Sequence, residues 1–159
     1  MIFENYELFL NKTYSGLQEI GLDVTGLVLD HVGYQTSSAQ DYETKKEELL
    51  RIAVLRSENL LGGRRVGICQ LNEPLTYKEQ VINAVELVEP KEGQVCESRL
   101  DHTEFITPIT FDEMMTKYPN VNWDTSAKAR PEFAKLQLRL ANGLGVKFHR
   151  AHIFDEIPK

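Results

Sequence analysis

The octapeptides LDHVGYQT at residues 29–36 and LDHTEFIT at residues 100–107 agree at the Leu, Asp, His and closing Thr. Such a repeat predicts two related modules, each opened by the same strand. Both segments mix β-branched and aromatic residues in a short run, as strands do. After the first, SSAQDYETKKEELLRIAVL opens on Ser and continues in strong helix formers, which predicts a capped helix. SENLLGGRRVGICQLNEPL then sets Gly62-Gly63 between two apolar runs, a hairpin signal, and QVINAVELVEP predicts a further strand. The first half therefore reads βαβββ. The second half repeats the order: LDHTEFITPIT as a strand, TFDEMMTKY as a short Thr-capped helix, and KLQLRLANGLGVKFHRAHI as a hairpin turning at Asn142-Gly143.

Ahead of the first repeat, Ile2, Phe3, Tyr6, Phe9, Leu10, Tyr14, Leu17 and Ile20 recur at helical spacing, with Gly16 and Gly21 dividing or ending the helix. With 159 residues, 42% of them hydrophobic, the chain can bury one sizeable core or two small ones without disulfides. The expected fold class is α+β. A single domain is expected, with an N-terminal helical extension at 1–23 and paired βαβββ modules at 24–92 and 98–157.

The formal net charge of −6 is spread along the chain, and no basic stripe could track a phosphate backbone, which argues against nucleic acid. Cys69 and Cys96 are too few and too distant to read as a disulfide framework, so reduced thiols are expected. The opening MIFENYELFLNK lacks the basic start, apolar run and cleavage site of a signal peptide, and no stretch is long and apolar enough for a span. A cytoplasmic monomer or homodimer is the expectation.

Along a strand alternate residues share a face, so His31 lies with Leu29, Gly33 and Gln35, and His102 with Leu100, Glu104 and Ile106. Each module also closes on a strand carrying a ligand-type residue, Glu86 in AVELVEP and His149 in GVKFH. A carboxylate between Val85 and Leu87 is costly to bury unless a cation or donor faces it. Three imidazoles and one carboxylate suit one divalent ion, Zn, Ni, Mn, Fe or Co, with two octahedral positions left for water or a bidentate oxygen substrate. His152 falls on the opposite strand face from His149 and is a reserve ligand. Glu104 is the candidate catalytic proton carrier. Gln137, Arg139 and Lys147 alternate away from the leucines and are candidate substrate-binding groups. Gln35 and Gln70 depend on register, and Arg64 and Arg65 on whether the hairpin binds an anion or only solvates its turn. The bland alternative has Asp30 and Asp101 serving turns and the histidines filling a satisfied core.

The series LDHVG, AVELVEP, LDHTEFI and GVKFH resembles the four metal-bearing strands of the vicinal-oxygen-chelate superfamily, which includes glyoxalases, bleomycin-resistance proteins and extradiol dioxygenases. More closely, SENLLGGRRVGICQLNEPL, AVELVEP, LDHTEFI and NGLGVKFHRAHIFDEI resemble the YecM family, over roughly residues 24–157. That resemblance implies paired glyoxalase-like βαβββ modules and a metal held by a His on each opening strand and a Glu or His on each closing one. His31, Glu86, His102 and His149 match those positions. Glyoxalase-like enzymes place Glu in a KIEL-like closing motif where this chain has KFHR, which speaks against glyoxalase activity itself. The implied function is a metal-dependent isomerase, lyase or oxygenase acting on a small substrate with vicinal oxygens. A fourth protein ligand closes a facial position that an Fe(II) dioxygenase would use, which favours non-redox chemistry. Two other readings stand beside it: a metal- or small-ligand-binding module without turnover, and an interaction protein whose N-terminal helix docks a partner or a second copy.

Overall fold

The computed structural model describes residues 1–158. Its elements run α1 (Tyr6–Glu19), β1 (Val28–Gln35), α2 (Ala39–Leu49), β2 (Ala53–Leu61), β3 (Arg64–Tyr77), β4 (Gln80–Val88), β5 (Arg99–Ile106), α3 (Phe111–Lys117), β6 (Leu136–Arg139), β7 (Gly145–His149) and α4 (Ile153–Glu156). The chain divides into two compact units. One comprises residues 1–6 and 31–101, the other residues 7–30 and those from His102 onward.

In the first unit the strands lie in the order β2-β3-β4-β1. Ser38 accepts from the Asp41 N–H and opens α2 as a helix cap. The helix stops at Leu49, short of the length its propensities predict, and Ala53-Val54-Leu55 joins β2 instead. The β-branched and apolar residues there pair with β3, and that pairing overrides the helical run before them. Gly62 and Gly63, at φ of 63° and 82°, make the tight hairpin between β2 and β3, a backbone only glycine adopts cheaply at both central positions. Over this sheet Tyr42 is fully buried and donates to Glu58 at 2.7 Å, while the Arg65 guanidinium stacks 4.3 Å from its ring. Arg65 also binds Glu89 at 2.6 Å, and Glu43. That arginine holds the helix to the hairpin.

In the second unit β7 lies between β5, parallel to it, and β6, antiparallel. The Leu136/Leu138 alternation and the turn near Asn142-Gly143 form as the sequence predicts, with Gly143 at φ 88°. Between α3 and β6 the chain is irregular, and an isolated bridge, Asp124 to Gln137, is the sheet pairing formed there among the described residues. The core centres on Phe105, which stacks on Phe148 at 5.8 Å and meets Tyr14 of α1 edge-on at 6.0 Å. Leu10 and Leu17 of α1 are buried in it, and Asn142 caps the Lys12 carbonyl at 3.0 Å. The apolar stripe of α1 is thus covered by the second repeat of its own chain.

Truncating Leu17 to Ala therefore leaves a cavity and lowers stability by about 2–5 kcal/mol, read by urea unfolding. A loss under about 0.5 kcal/mol, the scale of an ordinary surface change, contradicts the placement of α1 in this core.

Candidate metal-ligating and ionic cluster

In the first unit β1 and β4 are parallel, with His31 opposite Ala84 and Gly33 opposite Glu86. Paired residues point to the same face, so His31 and Glu86 project together, one rung apart. Ala84 beside the imidazole and Gly33 beside the carboxylate leave both side chains room. His31 is 1% and Glu86 5% exposed, and His31 Nε2 stands 3.6 Å from Glu86 Oε2. That is longer than a hydrogen bond. It is close to the separation of two ligands on one ion: donors about 2.1 Å from a metal and about 90–110° apart stand roughly 3.0–3.4 Å from each other. Gln70, opposite Ala84 on β3, shares this face, but its amide oxygen accepts from Arg56 at 2.5 Å. Gln35 Nε2 donates to the Thr36 carbonyl at 3.0 Å.

In the second unit His102 lies opposite Gly145 and Glu104 opposite Lys147. A side chain at Gly145 would bring Cβ to 3.1 Å from His102 Cβ, so this strand position tolerates little beyond hydrogen. His102 and Glu104 are buried, with ligand atoms within 4.8 Å of each other. The register separates the repeats at their closing strands. The residue that stands to His102 as Glu86 stands to His31 is Lys147; His149 lies one rung further, opposite Ile106, where the first unit has Val88 opposite Gln35.

His149 is fully buried and ringed by carboxylates. Its Nε2 is 3.2 Å from Asp30 Oδ2, and its Nδ1 is 3.0 Å from both Glu104 Oε2 and Glu156 Oε1. Burial alone would lower the imidazole pKa, but Asp30, Glu104 and Glu156 outweigh it and push it up to about 11. Asp30 also accepts from the Ile153 N–H at 3.0 Å and lies 3.0 Å from His152 Nδ1, so it anchors the start of α4. Lys135, 7% exposed, places Nζ 3.7 Å from Glu104 Oε1. Lys147 is half-buried. Gln137 donates to Asp124 at 3.0 Å, and Arg139 to the Gly143 carbonyl at 3.0 Å.

Asp30, Lys135 and Glu156 are the members that sequence reasoning missed. Asp30 carried a signal, because LDH recurs, but its counterpart Asp101 pairs with Arg99 at 3.3 Å. Lys135 and Glu156 sit beside irregular or very short elements where no periodicity marks an inward face.

The model of the YecM protein family matches residues 1–157. The chain belongs to the YecM family. Relatives include an uncharacterized protein of Haemophilus influenzae strain Rd, 23% identical over 71% of this chain and 59% of that one. Protein YecM of Escherichia coli strain K12 is 26% identical over 57% of this chain and 48% of that one. The chain thus spans about half to three-fifths of the curated relatives it matches. Among solved structures, the structural-genomics protein EC4020 superposes with a TM-score of 0.76 at 21% identity, covering 97% of this chain and 88% of that one. Methylmalonyl-CoA epimerase in complex with methylmalonyl-CoA and NH4+ gives 0.55 at 14% identity, covering 83% and 99%. A variant of the Streptomyces coelicolor methylmalonyl-CoA epimerase in complex with 2-nitronate-propionyl-CoA gives 0.53 at 14%, covering 77% and 96%. These likenesses establish the fold of this YecM-family chain as mixed α+β and glyoxalase-like.

Because the folded pKa of His149 is raised, its contribution to stability is complete below about 6.5, its ordinary value, and is lost as pH climbs toward about 11. In chelator-treated protein, the stability advantage of wild type over His149→Gln, measured by urea unfolding at pH 6, 8 and 10, shrinks with rising pH. Parallel pH profiles contradict that assignment.

Proposed function

We propose that this YecM-family protein binds a divalent metal and works as a metal-dependent isomerase, lyase or oxygenase on a small substrate offering two adjacent oxygens. The observation that carries the reading is the buried His31–Glu86 pair, held side by side on parallel strands at a separation suited to two ligands and too long for a hydrogen bond. His102, the repeat counterpart of His31, is the ligand-type imidazole of the second unit. His149 is the fourth ligand expected from sequence; its ring nitrogens face carboxylates at 3.0–3.2 Å, and we read it as their ionic partner rather than as a ligand, although its ligand atoms also fall in a group that could hold an ion. Two imidazoles and a carboxylate suit Zn, Ni, Mn, Fe or Co equally. Bound there, the ion would supply Lewis acidity toward a chelating oxygen substrate.

The chain's own contribution is a dry, shaped frame: strands that fix the imidazoles beside Ala84 and Gly145, and a buried ammonium and imidazole, Lys135 and His149, that face Glu104. The fold shared with an epimerase whose complex holds methylmalonyl-CoA supports a small acyl or oxo-acid substrate class. No described helix is long and apolar enough to cross a membrane. The unbridged Cys69 and Cys96 accord with a cytoplasmic setting.

Elemental analysis of untagged protein is expected to find stoichiometric metal in wild type, and its loss in folded His31→Ala, Glu86→Ala and His102→Ala. A folded wild type that stays metal-free through reconstitution with each of the five ions overturns the reading. Metal retained without turnover on a panel of 2-oxo and 2-hydroxy acids and acyl thioesters favours the binding module over the enzyme.

A further inference from the structure

One rung of paired residues crosses the sheet of the first unit on a single face: Val54 on β2, Gln70 on β3, Ala84 on β4 and His31 on β1. Exposure falls along it. Val54 is 57% exposed at the sheet edge and Gln70 is half-buried, while Ala84 and His31 are enclosed. Glu86 stands two residues from Ala84 on the same face of β4. Neighbouring strands lie about 4.8 Å apart, which sets the Gln70 and His31 backbones roughly 9.6 Å apart with only the Ala84 methyl between them.

The Gln70 amide has a fixed sense. A guanidinium offers donors alone, so the amide atom 2.5 Å from Arg56 Nη1 is the oxygen. The NH2 is thereby turned away from Arg56, and its N–H groups have no acceptor among the described residues. A guanidinium on the oxygen also polarises the amide and makes those N–H groups better donors. We propose that Gln70 recognises the substrate of this site, that Arg56 is its positioning residue, and that the substrate is a 2-oxo or 2-hydroxy acid bearing a second carboxylate. The chelating oxygens of such an acid belong at His31 and Glu86, and its far carboxylate crosses the Ala84 methyl to accept from the Gln70 NH2. An ionised acceptor gains most from this donor, because hydrogen bonds to a carboxylate are stronger than those to a neutral oxygen.

The inference rests on the metal reading above, and a comparison of ligands separates the two. Calorimetry on zinc-loaded protein compares pyruvate with 2-oxoglutarate and lactate with malate, pairs alike in their chelating oxygens that differ by a second carboxylate. Wild type is expected to bind at least one dicarboxylate about tenfold more tightly than its monocarboxylate partner, the scale of one hydrogen bond to a charged group. Gln70→Ala keeps its zinc, its circular dichroism and its monocarboxylate affinity, and loses that preference; Gln70→Met, of similar length, replaces it should the alanine variant not fold. Arg56→Ala cuts the preference roughly threefold, as loss of one supporting hydrogen bond would, and Arg56→Lys, which still offers the amide oxygen a donor, restores it. A zinc-loaded wild type without the preference, or a preference that survives in the Gln70 variants, overturns the assignment and leaves the metal reading standing. A folded Arg56→Ala with the full preference overturns the positioning role. Wild type that takes up no zinc overturns the metal reading, and this inference with it.

Discussion

A carboxylate enclosed by strands must be answered by a cation or a set of proton donors, and the placement of Glu86, Glu104 and Asp30 is the constraint on which this structure turns. Apolar residues alone would build an equally dense core at lower cost, so buried acids stand out as features with a purpose. Each answers the constraint in its own way. Glu86 meets an imidazole across parallel strands at a ligand-like separation. Asp30 receives a backbone N–H and two imidazoles and so ties the last helix to the second unit. Glu104 stands between an imidazole and an ammonium group.

The repeat explains why chemistry gathers on one strand face of each unit. Alternation along β5 sends Thr103 and Phe105 to one side, where Phe105 meets α1 and Phe148, and His102 and Glu104 to the other. Along β1 the same alternation separates Val32 and Tyr34 from His31 and Gly33. The aromatic core of the second unit therefore serves as a rigid back plate, and a rigid support is what a coordination site needs if its ligands are to keep their geometry without a bound ion.

Much of this was legible in the sequence because it rests on periodicity and duplication. The LDH repeat, the Gly62-Gly63 hairpin and the βαβββ order of the first unit all depend on local patterns that the fold preserves. That Glu86 and His149 are not equivalent was not legible. It depends on the pairing register of β7 with β5, and a shift of one rung keeps every side chain on the same face while changing which residues meet. Pattern alone carries no mark of such a shift. Lys135 and Glu156 were hidden for a related reason, since irregular backbone and a one-turn helix direct side chains inward without any period to announce it. The end of α2 was misjudged because strong helix formers run on to Leu55, whereas strand pairing with β3 claims the chain from Ala53.

The chain has four histidines, so its ring nitrogens can be followed one by one in protein labelled with 15N-histidine. Zinc titration observed at those nitrogens tests the central claim most directly. The account predicts that the rings of His31 and His102 move to coordinated shifts, while His149 keeps a hydrogen on both nitrogens and its resonances stay in place. A coordinated shift at His149, or unaltered rings at His31 and His102 with zinc bound, would contradict it.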